Sequence, residues 1–229
     1  MRIVFVRHGH PNYRDDCLTP LGRMQAEAVA DRLMNEGICE VYASTKGRAM
    51  ETAEPFCRRV GLPVWGLDFM REVSWGSSDG VELPFGGHPW QTVADMVRNG
   101  EDLLSTKWRE EARFSHNVVL SHIDRIVSGF DGWISDLGYV REGAYYRVVG
   151  ESTDRTVAIF SHGGASTVVL SHLFGLPFPL MASAVRPNFT AVTVLKFPDE
   201  VGALVTPTIE LLNDDRHLSA MQGEIDFGQ

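Results

Sequence analysis

Ile3-Val4-Phe5-Val6-Arg7-His8-Gly9-His10 opens the chain with four apolar residues that run straight into a basic, glycine-bearing turn. The run is β-branched and aromatic without alternation, the pattern of a strand buried on both faces. A helix should follow. Thr19 is a good N-cap, and Pro20 suits the first helical position, where a missing N–H costs nothing. Leu21, Met24, Ala28 and Leu33 give the expected apolar stripe, and Gly37 closes the helix. Glu40 to Ala43 predicts a second strand, and Gly47 to Gly61 a second helix that Pro55 should kink or shorten.

The same alternation resumes late in the chain. Thr156 to Phe160 is another apolar strand, followed by Ser161-His162-Gly163-Gly164 and a helix to about Phe174. Thr190 to Phe197 and Leu204 to Leu211 predict further strands. This order points to an α/β fold with parallel pairing. Between about residues 76 and 150 the composition changes. Two helical stretches, Pro89 to Arg98 and Phe114 to Asp136, belong to a region carrying Trp90, Trp108 and Trp133. We read it as an insertion packed over the strand ends, within a single domain spanning 1–229. No repeat, low-complexity tract or linker interrupts the chain.

Composition narrows the function classes. With 229 residues, 44% apolar and 22% charged, the chain reads as a globular protein with a sizeable core, not a disordered or fibrous one. A net charge of -9 argues against nucleic acid or an anionic membrane as partner. Cys17, Cys39 and Cys57 are an odd count without a Cys-x-x-Cys pair, as expected of reduced thiols. No apolar stretch reaches the length of a bilayer span, and the first apolar run is too short for a signal-peptide core. A cytoplasmic protein is expected, and a homodimer is left open.

Ligands of open α/β sheets bind beyond the carboxyl ends of the strands. Two such ends carry histidines here, Arg7-His8-Gly9-His10 and Ser161-His162-Gly163-Gly164, while Ala43-Ser44-Thr45 ends a third with Arg48 in the helix behind it. Parallel neighbours would therefore gather Arg7, His8, Arg48 and His162 at one spot. Two guanidiniums and two imidazoles suit a phosphoryl dianion, because arginine forks pair with phosphate oxygens and a helix N-terminus adds backbone donors. Gly9, Gly163 and Gly164 would let the backbone approach such a ligand. The guanidiniums would also disfavour the protonated form of His8.

Taken together, these motifs resemble the histidine phosphatase superfamily, also called the phosphoglycerate mutase-like family. Arg7-His8-Gly9 follows the first strand, and Leu18-Thr19-Pro20-Leu21-Gly22 with Gln25-Ala26 is similar to the family's next helix. Tyr42-Ala43-Ser44, Arg48-Ala49 and Glu51-Thr52-Ala53-Glu54 resemble its second motif. Met70 to Gly76, with Gly80, is similar to the segment bearing its acid. Ser161-His162-Gly163-Gly164 matches the second histidine motif, and Leu212-Asn213 with His217-Leu218 a common ending. The resemblance implies a three-layer α/β/α sandwich on a mostly parallel sheet, with a helical insertion over the active site. It also implies that His8 is the nucleophile, that Arg7, Arg48 and His162 hold the phosphoryl oxygens, and that Glu72 is the general acid. Trp75 would desolvate Glu72; Asp79, Glu82 and Glu51 are the alternative acids.

Where the family has Glu or Gln and then an Asn, this chain has His10-Pro11-Asn12, so His10 and Asn12 join Gly9 and Gly163 as expected phosphate or substrate contacts. Nine residues separate His8 from Leu18, without the longer Gly-Trp segment of glycolytic mutases. The expected function is therefore a metal-independent phosphomonoesterase acting on a small phosphorylated metabolite, with no cofactor. Three alternatives stay open. They are phosphoglycerate mutase-type transfer, a non-catalytic phospho-ligand binder, and a metal hydrolase built on His8, His10, His162 and Asp15 or Asp16.

Overall fold

The computed structural model describes residues 1–150 and 155–221; the stretches 151–154 and 222–229 of the expected single domain lie outside the described residues. The chain begins with β1 (Arg2–Arg7), a short hairpin of β2 (Pro11–Asn12) and β3 (Cys17–Leu18), and α1 (Pro20–Leu33). Then come β4 (Ile38–Ser44), α2 (Gly47–Val60) and β5 (Val64–Leu67). The middle holds α3 (Pro89–Arg98), α4 (Ala112–Ser115), α5 (Val119–Asp136), β6 (Tyr139–Glu142) and β7 (Tyr145–Val148). The last part is β8 (Thr156–Ser161), α6 (Gly163–Phe174), α7 (Phe178–Ala184), β9 (Val192–Lys196), β10 (Leu204–Val205) and β11 (Thr208–Asp214).

The main sheet has the order β11-β9-β1-β8-β4-β5. β1, β8, β4 and β5 run parallel, and β9 and β11 add an antiparallel edge. β1 reads as continuous apolar sequence because both its faces are covered. Ile3 and Phe5 join Val157 and Ile159 in a core shared with Phe130 and Trp133 of α5 and Val168 and Val169 of α6. Val4 and Val6 join Ala158 and Phe160 in a second core with Val29 and Leu33 of α1 and Ala53 and Phe56 of α2. The fold is thus an α/β sandwich on a mostly parallel sheet. Helix α5, from the sequence's middle region, is a layer of that sandwich, its Phe130 ring 6.5 Å from Phe5. No helix among the described residues is long and apolar enough to cross a membrane.

Four local expectations are corrected. The buried face of α1 is Gly22, Gln25, Ala26, Val29, Ala30 and Leu33, whereas Met24 is 52% exposed. Contact decides this face: a Cβ at Gly22 would stand 2.2 Å from the His10 carbonyl oxygen, so the small residues turn inward. Helix α2 runs through Pro55 and ends at Gly61, whose φ of 72° makes the left-handed cap; burial of its Ala53–Phe56 face offsets one missing hydrogen bond. The helix expected from Phe114 to Asp136 breaks at residues 116–118, where the Asn117 side chain accepts from the amides of Gly76 and Val119 and donates to the Gly87 carbonyl. The strand expected from Leu204 to Leu211 is split at Pro207. β10 then pairs with β7 in a small sheet, and β11 with β9 in the main one.

Candidate active site

Register brings the site together. Arg7 lies beside Ser161 and Ala43 beside Phe160, so the chain leaves β1, β8 and β4 at one edge of the sheet. His8 donates its backbone N–H to the Ser161 carbonyl at 2.9 Å, and its ring centroid is 5.1 Å from that of His162. His8 Nδ1 is 2.7 Å from the Gly9 carbonyl oxygen. A carbonyl only accepts, so Nδ1 carries the proton and Nε2 the lone pair. Burial first, then the Arg7 charge, pushes the His8 pKa down to about 3, with the Gly9 bond opposing them. Its ring is neutral at physiological pH.

His162 is fully buried, its Nε2 2.8 Å from Ser44 Oγ. The Lys46 amide donates to the same hydroxyl oxygen at 3.3 Å. With that amide as one donor, Ser44 is free to turn its own proton to Nε2, which leaves the His162 N–H on Nδ1, an atom without a hydrogen-bond partner among the described residues. Burial, then the neighbouring His8, holds the His162 pKa well below its ordinary value.

The two arginines are clamped from behind. Arg7 donates through Nη1 to the Pro187 carbonyl at 2.6 Å and lies 4.2 Å over the Phe189 ring. Arg48, only 7% exposed, donates through Nη1 to Asp16 Oδ1 at 2.5 Å, and Asp16 also accepts from the Gly47 amide. Each guanidinium keeps a buried Nε without a partner.

Glu72 lies at the start of α6. Its Oε1 accepts from the amides of Val73 and Ala165 at 3.0 and 3.1 Å, and its Oε2 from Gly164 at 3.3 Å. Burial nevertheless raises its pKa, outweighing those amides and the charges of Arg7 and Arg48. The indole at this carboxyl is that of Trp90 rather than the expected Trp75: a Cβ on Gly164 would meet Glu72 Oε1 at 2.5 Å and Trp90 Cη2 at 2.7 Å. Trp75 instead packs on His88, ring centroids 4.4 Å apart. The expected alternatives for the acid are engaged elsewhere or exposed. Asp79 pairs with His116, Glu51 accepts from Leu18 and Arg23, and Glu82 lines a groove of about 610 Å³ with Glu101, Asp102 and Glu111. The negative charge of that groove disfavours a phosphorylated ligand.

The remaining expected contacts are engaged within the protein. Gly9 donates its amide to Thr52 Oγ1 at 3.0 Å and faces the Gly22 backbone, which a Cβ at Gly9 would strike at 2.6 Å. His10 is held by Thr19 Oγ1 at 3.0 Å and by the Phe189 ring. The Asn12 amide donates to Asp15, while its oxygen accepts from Arg14 and Asp15, shaping the turn. Gly163 lies against the Arg7 guanidinium. Among the described residues no three His, Cys, Asp or Glu side chains form a group able to hold a metal ion.

Sequence reasoning assigned no role to Ser44, Phe189 or Arg125, and considered Asp16 only as a metal ligand, whereas it accepts from Arg48 and the Gly47 amide. Ser44 closes the strand that carries the second motif, and that position was the available signal. Arg125 donates to the carbonyl of Arg71 at 2.7 Å and reaches that of Glu72 at 3.5 Å, and Ser161 Oγ donates to the Met70 carbonyl. These contacts fix the segment bearing Glu72, and nothing in the sequence marks them.

The chain has known relatives. The profile of the histidine phosphatase superfamily (branch 1) matches residues 3–123, more than half of the chain, and the protein belongs to that superfamily. It is 28% identical over 185 residues to a glucosyl-3-phosphoglycerate phosphatase of Mycolicibacterium vanbaalenii, covering 77% of this chain and 75% of that one. It is 25% identical over 186 residues to a protein of Yersinia pestis named "Probable phosphoglycerate mutase GpmB", covering 77% and 76%. The fold also matches a mycobacterial glucosyl-3-phosphoglycerate phosphatase solved with VO3, at a TM-score of 0.62 and 23% identity over 93% of this chain and 99% of that one.

Proposed function

We propose that the protein is a metal-independent phosphomonoesterase that acts on a small phosphorylated metabolite through a phosphohistidine at His8. One observation carries this reading. The Nε atoms of Arg7 and Arg48 and the Nδ1–H of His162 are buried donors without partners around a neutral imidazole. Buried donors are almost always satisfied, and a phosphoryl dianion supplies the acceptors these lack.

His8 Nε2 attacks phosphorus, the P–O ester bond breaks, and Glu72 gives its proton to the departing oxygen, releasing an alcohol. The raised pKa of Glu72 keeps that proton available. Arg7, Arg48 and His162 hold the equatorial oxygens as charge spreads over them. Water then attacks phosphorus, the P–N bond breaks, and the Glu72 carboxylate takes the water's proton as phosphate leaves. The name of the Mycolicibacterium relative supports a hydrolase, and that of the Yersinia relative supports transfer to a second hydroxyl.

Phosphate release from a panel of phosphorylated metabolites, with and without EDTA, tests the reading. EDTA-resistant release that His8→Ala abolishes, in a variant with unchanged circular dichroism, is expected. Wild-type turnover by His8→Ala overturns the mechanism, and isomerisation of a phosphoglycerate without phosphate release replaces hydrolysis by transfer.

A further inference from the structure

Three rings that the phosphoryl centre does not use form a cluster that begins at Glu72 with Trp90 and continues to His88 and Trp75. Trp90 meets the carboxyl at Gly164, and its ring centroid lies 6.5 Å from Trp75 and 6.0 Å from His88, both close to edge-on. Phe178 backs Trp90 at 6.1 Å. Trp75 is 41% exposed, whereas Trp108 and Trp133 are 7% and 9% exposed and belong to the core. His88 is held below its ordinary pKa by burial, so the cluster carries no charge at neutral pH.

The reading of Glu72 as the acid places the leaving oxygen at that carboxyl, and Trp90 is the ring that shares the Gly164 surface with it, with Trp75 and His88 next in line. A short, charged chain finds no cation on this wall. The nearby Arg125 donates to the carbonyls of Arg71 and Glu72 and to His122 Nδ1, and Arg71 pairs with Asp68. A flat ring finds indole faces and edges suited to C–H and π contacts.

We propose that Trp75, His88 and Trp90 form a leaving-group subsite, and that the substrate is a phosphomonoester whose alcohol carries a ring rather than a short open chain. The inference rests on the reading of His8 and Glu72 as nucleophile and acid. Sugar and aromatic rings share the chemistry this wall recognises, and the substrate series separates them.

The test compares kcat/KM for glucose phosphate, adenosine monophosphate and benzyl phosphate with that for glycerol phosphate and phosphoserine, all esters of ordinary alcohols. Ring esters are expected to win by at least about tenfold, and Trp75→Ala to reduce that ratio by about tenfold. Trp65→Ala, removing a more exposed indole on β5, should leave the ratio unchanged. Equal turnover of ring and chain esters by the wild type, or an equal loss of both in Trp75→Ala, overturns the subsite. Calorimetry on His8→Ala gives a readout without turnover: the favoured ring ester should bind more tightly than inorganic phosphate, and the added Trp75→Ala should remove the difference. If no ester is hydrolysed, the phosphatase reading fails. The subsite then stands or falls on whether ring-dependent binding is seen.

Discussion

Ser44 Oγ lies 2.8 Å from His162 Nε2 and receives the Lys46 amide at 3.3 Å, so one buried hydroxyl biases which nitrogen of the second histidine carries the proton and, on the proposed mechanism, what Nδ1 offers to the phosphoryl group. A histidine held neutral by burial is a donor on one nitrogen only. Were the proton on Nε2, a lone pair on Nδ1 would face the anion.

Ser44→Ala should therefore lower kcat by about tenfold to a hundredfold, within the cost of losing one preorganised donor to a transition-state oxygen. Binding of inorganic phosphate should weaken less than kcat falls. The imidazole nitrogen chemical shifts of His162 check the cause: a change from the Nδ1–H form to a mixture is expected. An unchanged tautomer with unchanged kcat would remove Ser44 from the mechanism.

Gly164→Ala tests how tightly the acid is seated. The new methyl would lie 2.5 Å from Glu72 Oε1, 2.7 Å from Trp90 and 2.8 Å from Val73, too close for any of them to stay in place. Displacing the carboxyl should cost about a hundredfold in kcat for alkyl phosphates, the scale of a general-acid contribution. The loss for p-nitrophenyl phosphate, whose leaving group needs no proton, should be several times smaller. A crystal structure of the variant would show the side-chain shift directly.

On the proposed roles, the pH profile follows from the opposite shifts of His8 as nucleophile and Glu72 as acid. His8, with its pKa lowered to about 3, is already neutral throughout the range above that value, so its protonation sets no acid limb near neutrality. Glu72 acts while protonated, and its pKa is raised, so activity persists above the ordinary carboxylate range and falls as pH climbs through the raised value. The second ionisation of an alkyl phosphate lies near pH about 6 and that of p-nitrophenyl phosphate lies lower, so the two are compared above that range, where both are dianions. There the ratio of alkyl to p-nitrophenyl phosphate hydrolysis isolates the proton from Glu72. It should decline with pH in the wild type and be flat in Glu72→Gln.

How much of this was legible in the chain depends on how local each cause is. His8 and His162 announce themselves because each directly follows an apolar strand, and parallel pairing makes such ends neighbours. Arg48 is one helical turn behind a third strand end, so the same reasoning reaches it. Ser44 was visible as a residue but not as a donor, because its partner is 118 positions away. Trp75 and Trp90 show the limit most clearly. Nearness in sequence favours Trp75 as the neighbour of Glu72, yet helix α3 carries Trp90 into that position. The buried face of α1 was misread for the same reason, since contact between Gly22 and His10, rather than the size of Leu21 or Met24, sets the helix's rotation.

Asp131 carries the last prediction, which concerns stability rather than catalysis. Both its oxygens lie 2.9 Å from His172 Nε2, and it accepts from the Tyr146 hydroxyl at 2.8 Å, so it joins α5 to α6 and β7. Burial pushes its pKa up, but the His172 and Tyr146 bonds prevail and the net shift is downward. A carboxyl whose folded pKa lies below its unfolded one stabilises the fold above the unfolded value, about 3.9, and loses that contribution as pH falls through the folded value. Asp131→Asn keeps the shape but removes the charge, and should cost about 1–3 kcal/mol at neutral pH. For a chain of this size each kcal/mol lowers Tm by roughly 2–4 °C. Thermal unfolding of both proteins from neutral pH down to about pH 3 should show the gap narrowing as Asp131 is protonated in the wild type. A gap that stays constant over that range would place the cost in lost hydrogen-bond geometry instead of charge.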